Sequence, residues 1–275
     1  VYMNVDANVA TTETLKERLV NQIDNSVLFY DQILKIAADV NNDCTVTGLD
    51  IVQIRKLILG KYSDNNFPNN SSWRFVDQNF EFLTFDQPCQ FDEVVELDNL
   101  TASEAVDFKG VKVGDINESA KANLVEEATV RNMAKFELVI QETKLSQGQE
   151  LLVPIKASRS ELLTGFQFTL KASNATIVDL QSGLLDFTDE NFFPYDSKRG
   201  IYTVSFHDAM GIEISENDIL FSIKIKVDKD TDLSEAISIV EGFTAAEAYV
   251  GTDLQLEEPV IGFRNKDNQV VETSN

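Results

Sequence analysis

The stretch "DVNNDCTVTGLD", from Asp39 to Asp50, puts oxygen-bearing side chains at nearly every second position and runs straight into the apolar segment "IVQIRKLILG". With Asp39 as position one, Asn41 is third, Asp43 fifth, Thr45 seventh, Thr47 ninth and Asp50 twelfth. Side-chain oxygens at one, three and five can point to a common centre. Position seven offers a backbone carbonyl, nine a hydroxyl or a water, and twelve a carboxylate from the first turn of the next helix. That is the EF-hand spacing for a hard cation taking about six to eight oxygens, and flexible carboxylates suit Ca2+ better than Mg2+. Two positions depart from it. Cys44 stands at six, where glycine usually makes the turn, and a non-glycine residue held in that conformation costs about 1–3 kcal/mol. Asp50 at twelve is one methylene shorter than the usual Glu. Val46, at eight, is expected to anchor the loop to the core. The plainer reading of the same residues is an Asn/Asp turn with Asp50 as a helix N-cap.

A weaker copy lies upstream. Aligning Val9 with Val46 puts Asn4 at three, Asp6 at five and Glu13 at twelve, but Tyr2 then falls where the first ligand belongs. "GDINES" repeats the rhythm with Asp115, Asn117 and Ser119 and reads as a turn, since no helix follows.

These side chains need helices to hold them. Segments 12–23 and 27–38 carry apolar residues at helical spacing. Segment 50–60 places Ile51, Ile54, Leu57 and Ile58 on one face, with Gly60 as its stop. From 61 the chain becomes rich in turn residues; "FEFLTF" reads as a short strand and "FKGVKVGDINESA" as a short strand ending in a turn, with Trp73, Phe75 and Phe82 as core anchors. From 135 strands dominate: "KFELVIQ", "QELLVPIKAS", "TGFQFTLKAS", "ATIVDLQS", "GIYTVSFHD", "DILFSIKIKV", "AISIVEG" and "LQLEEPVIGF". Their alternation of apolar and polar residues predicts an all-β sandwich. The expected organisation is a helical cation-binding module over 1–62, an irregular extension wrapping it over 63–134, a sandwich over 135–264 and a linker over 265–275.

Charge narrows the partners. Among 275 residues, 46 Asp and Glu oppose 23 Lys and Arg, a net charge of −23. Such a surface repels phosphates, which argues against nucleic acid and anionic membrane, and attracts divalent cations and basic patches. No stretch approaches the ~20 apolar residues of a spanning helix. "VYMNVDANVA" has neither the basic start nor the apolar block of a signal peptide, so the chain reads as a mature fragment or a piece of a longer polypeptide. Its two cysteines, Cys44 and Cys89, fit either one disulfide in an oxidising location or two buried thiols; spacing does not choose.

Loop plus helix, "DVNNDCTVTGLDIVQIRKLILG", resembles the calcium-binding repeat of type I dockerins, D-x-N-x-D with Asp at twelve and a helix ending in a K-R-x-L-L-G-like run. Dockerins carry two such repeats; here the second is intact and the first degenerate. "NNSSWRFV" and "FKGVKVGDINESA" resemble segments that follow such repeats in secreted surface proteins of Bacteroidota. "GQELLVPIKAS", "LLTGFQFTLKAS", "GIYTVSFHDAMG" and "NDILFSIKIKV" resemble a cohesin-type jelly roll, the fold that receives dockerins. The resemblance implies an α+β multidomain chain: a dockerin/EF-hand-like helical module followed by an all-β cohesin-like sandwich. It implies Ca2+ as cofactor and a cohesin-like domain of the same or another chain as protein partner. Arg55 and Lys56 match the basic pair near the dockerin partner surface, or else form the solvated face of an amphipathic helix; Leu49, with Gly48, stands where Ser-Thr is frequent, which departs from ordinary cellulosomal specificity. A chain with both halves can join to itself, as a head-to-tail polymer of copies or within one chain. The family also implies an extracellular or cell-surface location reached by type IX secretion.

No catalytic constellation emerges, so no enzyme is expected. The single histidine, His207 in "SFHD", reads as structural. No Ser/His/Asp order, nucleophile elbow, phosphate loop or zinc cluster is present. The acid pair Asp189–Glu190 keeps a glycosidase reading in view. A carbohydrate-binding region of a secreted enzyme is the alternative; it needs exposed aromatics on one sheet face, for which Tyr195, Tyr202 and Tyr249 are the candidates, although core or edge packing is the commoner fate of such residues. The expected function is calcium-stabilised extracellular structure and adhesion through protein–protein assembly.

Overall fold

The computed structural model describes residues 29–82, 89–97, 105–116 and 133–271. The chain forms two compact units: Val1–Ile54 with Asn66–Leu124, and Arg55–Asn65 with Val125–Asn275.

In the first unit, residues 29–38 form helix α1. Ile33, Ile36 and Ala37 lie on one face of it and are buried with Val76 and Val111. Those two valines belong to β1 (Trp73–Asp77) and β2 (Phe108–Lys112), an antiparallel pair with Trp73 opposite Lys112. Phe82 closes this small core, its ring 4.9 Å from Phe80 and flanked by Phe29 and Phe91. Phe82 is thus the anchor expected of it, whereas Phe75 is 48% exposed. The strand's alternation explains this: Val76 takes the inward position, so its neighbour points out. Segment 12–23 and the second half of "FEFLTF" lie outside the described residues; Phe80–Phe82 are not in a strand.

Helix α2, Gly48–Ile58, starts in the first unit and ends in the second. The expected 1–62 module differs from this division, because residues 55–65 group with the sandwich through contacts given below.

The second unit is built from β3 (Lys135–Gln141), β4 (Lys144–Leu145), β5 (Glu150–Ala157), β6 (Glu161–Ala172), β7 (Ala175–Ser182), β8 (Phe192–Asp196), β9 (Ile201–Ile214), β10 (Ile219–Val227), β11 (Thr231–Asp232), β12 (Ile237–Val240), β13 (Glu247–Val250) and β14 (Gln255–Arg264). One four-residue helix, α3 (Leu233–Ala236), precedes β12. The strands run in the order β7-β10-β5-β3-β14-β13-β6-β9-β8, with β12 also on β6 and a separate β4–β11 pair. All neighbours are antiparallel except β3 and β14, the first and last strands, which pair in parallel. Inward residues of β5, β7 and β10 meet those of β6 and β9 in one core, making a β-sandwich. Phe166 sits at its centre, with ring centroids of Phe168, Phe187, Phe206 and Phe221 within 6.2 Å. Gly200 turns into β9 at φ 68°, where an added Cβ would lie 2.2 Å from the Ala172 carbonyl oxygen, so no side chain fits.

The described chain is therefore mostly β, rather than evenly α+β. Residues 265–271 do not run off as a linker. Val271 N–H donates to Phe263 O at 2.9 Å, and Val270 bridges Arg264, closing a tight turn back onto β14.

Candidate functional site

The Asp/Asn loop folds around its own carboxylates. Asp39 accepts from the N–H of Asp43 at 3.0 Å and of Cys44 at 2.8 Å. Asn41 Oδ1 accepts from Asp43 N–H at 2.9 Å, and its amide donates to Asp43 Oδ2 at 2.9 Å. The Thr45 hydroxyl donates to Asp43 Oδ1 at 2.6 Å. Asp50 reaches back to accept from Thr47 N–H at 2.8 Å and, at 3.4 Å, from Asn41 N–H. In return the Thr47 hydroxyl accepts from Leu49 N–H at 3.2 Å. Thr47 is thus the N-cap, its hydroxyl on the second N–H of the helix, and the Asp50 carboxylate reaches back to the Thr47 N–H as the acidic half of a capping box does, so Asp50 is not itself the cap.

Asp39 is 3% and Asp50 2% exposed. Burial, helped by the nearby Asp50 and Asp43 carboxylates, pushes the Asp39 carboxyl above its ordinary range although two loop N–H bonds oppose this. Among the described residues no Lys or Arg forms an ion pair with Asp39, Asp43 or Asp50. Buried like charges without a counter-ion are costly, and a cation would relieve them. The donor set fits one: carboxylates, an amide, hydroxyls and a carbonyl are all oxygen ligands for a hard ion. Among the described residues no three His, Cys, Asp or Glu side chains form a group that could hold a metal ion. Val46 is 51% exposed rather than anchored in the core. Asn4, Asp6 and Glu13 lie outside the described residues, as do Asn117 and Ser119.

The second part of the site is where α2 ends. Gly60 has φ 70°, Gly60 N–H donates to Leu57 O and Lys61 N–H to Lys56 O, both at 2.9 Å. That is a Schellman stop, with glycine free to take the left-handed turn. A helix end leaves carbonyls without intrahelical partners. Two hydroxyls satisfy them here, one on β9 and one on the loop between β12 and β13: Thr203 donates to Leu59 O at 2.7 Å and Thr244 to Ile58 O at 2.6 Å. Thr203 is fully buried on β9, and Thr244 is itself held by Thr169 of β6 at 3.0 Å. Tyr195 and Phe243 stack 4.6 Å apart over Gly60. Around this seat Arg55 donates to His207 Nδ1 at 2.8 Å and pairs with Glu190 at 3.4 Å, while Lys61 Nζ donates to Asp189 O at 2.8 Å.

Replacing Thr203 with Val keeps the shape and removes the donor, leaving a buried carbonyl unpaired. The expected loss is about 1–3 kcal/mol by chemical denaturation, with Thr203→Ser recovering most of it.

His207 accepts from Arg55 only when Nδ1 is free of a proton. Burial first, then the Arg55 charge, lower its pKa below the ordinary value, with Asp208 opposing. A base with a lowered folded pKa favours the folded state above its unfolded pKa of about 6.5 and loses that contribution as pH falls through the folded value. The second unit should therefore weaken on acidification from pH ~6.5 downward, modestly because the ring keeps a solvent-exposed edge, and less so in His207→Gln. Denaturation midpoints at several pH values for both proteins check this.

The structure thus gathers Asp39, Asn41, Asp43, Thr45, Thr47 and Asp50 in one loop. The three residues expected at a partner surface differ in exposure. Arg55 is turned onto its own sandwich, Lys56 is half-buried, and Leu49 is 52% exposed. Asp189 and Glu190 serve as partners for Lys61 and Arg55. The three tyrosines do not make an open platform: Tyr202 is 1% exposed, Tyr195 covers Gly60, and Tyr249 donates to Glu247 at 3.0 Å. Thr203, Thr244 and Phe243 were not anticipated. The one signal was a row of small hydroxyl side chains, Thr203 and Ser205, alternating with the core residues of β9.

No family model matches this chain, and no curated protein matches it. Solved structures similar to it include a chain of a type I cohesin–dockerin complex from Clostridium thermocellum, 19% identical, covering 47% of this chain and 99% of that one with a TM-score of 0.35. The seventh ScaB type I cohesin from Pseudobacteroides cellulosolvens is 19% identical over 52% of this chain and 99% of its own, TM-score 0.34. A non-cellulosomal cohesin from the archaeon Archaeoglobus fulgidus is 21% identical over 48% and 91%, TM-score 0.30. Similarity at this level assigns this chain neither family nor partner. Among the described residues no helix is long and apolar enough to cross a membrane.

Proposed function

We propose that this chain is a non-catalytic, calcium-stabilised extracellular structural and adhesion module that works by protein–protein assembly of the dockerin–cohesin kind. The observation that carries the reading is the seat on the sandwich: buried threonine hydroxyls placed to receive the last carbonyls of a helix whose first turn belongs to an oxygen-rich loop. A sheet face that satisfies a helix end is a docking surface, and within the chain residues 55–65 occupy it. Head-to-tail joining of copies is the exchange of this same contact between chains. Asp39, Asn41, Asp43, Asp50, Thr47 and the Thr45 carbonyl would hold Ca2+, which neutralises the buried carboxylates and so fixes how α2 begins. The Cys44–Cys89 disulfide supports an oxidising, extracellular setting.

Thermal unfolding of the full chain with Ca2+ and with a chelator tests the cation. An ion present at about 100 times its Kd adds about 2.7 kcal/mol, so the midpoint should rise with Ca2+ and fall with chelator. An unchanged midpoint would remove the calcium reading. Light scattering after refolding at high concentration in Ca2+ tests assembly: growth in mass suppressed by Thr203→Val supports exchange at the seat, and monomer at every concentration argues against the polymer.

A further inference from the structure

Cys44 is the position of the loop least expected of a cation site, since an EF-hand turn puts glycine there. The structure shows how the turn survives. Cys44 has φ 70°, so the left-handed conformation is kept without glycine. Its sulfur is bonded to Cys89, 45 residues on, with the two Cα atoms 5.3 Å apart. Cys44 N–H donates to Asp39 Oδ2 at 2.8 Å, and Cys89 Sγ lies 3.6 Å from that same oxygen. The segment carrying Cys89 is tied to the loop a second time. Arg74 pairs with Glu93, lies over the Phe91 ring at 5.1 Å, and donates to Asn42 Oδ1 at 2.8 Å. Asn42 is the loop's other left-handed residue, at φ 57°. Both strained positions are therefore held from outside the loop, by residues 74 and 89–93.

We infer that the Cys44–Cys89 disulfide takes the part of the missing glycine: it holds position six left-handed, presets Asp39 and Asp43 for a divalent cation, and makes the loop's affinity depend on the bond. The inference rests on the calcium reading. A left-handed non-glycine residue costs about 1–2 kcal/mol, and a loop that must regain that conformation on binding has its affinity lowered by the fraction of time it is competent. With the bond in place the conformation is already present in the free loop. Dithiothreitol would undo this. It supplies two electrons and two protons, its own sulfurs closing to a cyclic disulfide while the Cys44–Cys89 bond breaks to two thiols.

Calcium titration calorimetry on the full chain tests the inference, with far-UV circular dichroism of each protein beside it. The oxidised protein should bind most tightly. Cys44→Ser/Cys89→Ser and the dithiothreitol-reduced protein should bind about tenfold or more weakly. Cys44→Gly/Cys89→Ser, which has no bond but restores glycine, should return to within about threefold of the oxidised protein. Equal affinity in the Ser/Ser variant and the oxidised protein would overturn the inference, and so would a Gly/Ser variant as weak as the Ser/Ser one. Should the Ser/Ser variant fail to fold, the Gly/Ser variant decides alone: near-native affinity supports the inference and a tenfold loss ends it. If the oxidised protein itself takes up no calcium, the cation reading fails first and this inference with it, an outcome distinct from equal affinities.

Discussion

Gly60→Val is expected to destabilise the second unit by about 2–5 kcal/mol and to lift residues 55–65 from the sheet. Two costs add. Gly60 sits at φ 70°, where an L-residue pays about 1–2 kcal/mol, and a β-branched one no less. Its added Cβ would lie 2.6 Å from the Tyr195 ring and 2.9 Å from Phe243. Those rings are stacked on each other, so neither can yield without leaving the other, and overpacking of this kind costs about 1–3 kcal/mol. Once the turn opens, Thr203 and Thr244 lose the Leu59 and Ile58 carbonyls together. Chemical denaturation followed by far-UV circular dichroism measures the loss, and Gly60→Ala should fall between wild type and Val. If the Val protein unfolds at the wild-type midpoint, the helix end does not depend on this turn for its seat.

How much of this could be read from residues alone depended on whether the signal was local. The strands of the sandwich were legible because each alternates over its own length: "KFELVIQ" coincides with β3, "ATIVDLQS" with β7, and "DILFSIKIKV" contains β10. β8 was missed because "FFPYD" is short and interrupted by Pro194, and β13 because four residues carry too little pattern. Gly60 was legible as a helix stop because the Schellman turn is chemistry of six consecutive residues. The seat of that helix was not. It is made by Thr203, Thr244 and Tyr195, more than a hundred residues away, and nothing near Leu59 announces that its carbonyl will meet a hydroxyl. The same non-locality applies to Arg55. At the level of the helix it belongs to a solvated basic pair, and only the fold brings Glu190 and His207 to it. Phe75 failed for the opposite reason: aromatic type outweighed strand position, and in the structure position decided.

The largest effect in the first unit should come from the disulfide. Replacing both cysteines with Ser is expected to lower that unit's stability by about 4 kcal/mol, the chain-entropy value for cross-linking residues 45 apart. Two features make the bond matter more here than in a large core. The described hydrophobic cluster of this unit is small, built on Ile33, Ile36, Ala37, Val76, Phe82 and Val111, so less burial opposes the entropy of the open chain. The bond also joins the loop to the segment that brings Phe91 against Phe82, so opening it frees one wall of that cluster. Trp73, the one tryptophan of the chain, lies on β1 within this unit and is its fluorescent probe. Denaturation followed by Trp73 fluorescence should thus shift to lower denaturant in the Ser/Ser variant, while the β-sheet signal of the sandwich keeps its midpoint. A shift of both signals together would mean that the two units unfold as one, and an unmoved Trp73 transition would mean that the bond constrains a segment already ordered by other contacts. Because the Cys44→Gly/Cys89→Ser variant lacks the bond too, it should share this loss of stability even where it regains calcium affinity. The role of the bond in holding the fold and its role in shaping the loop are separable by that one protein.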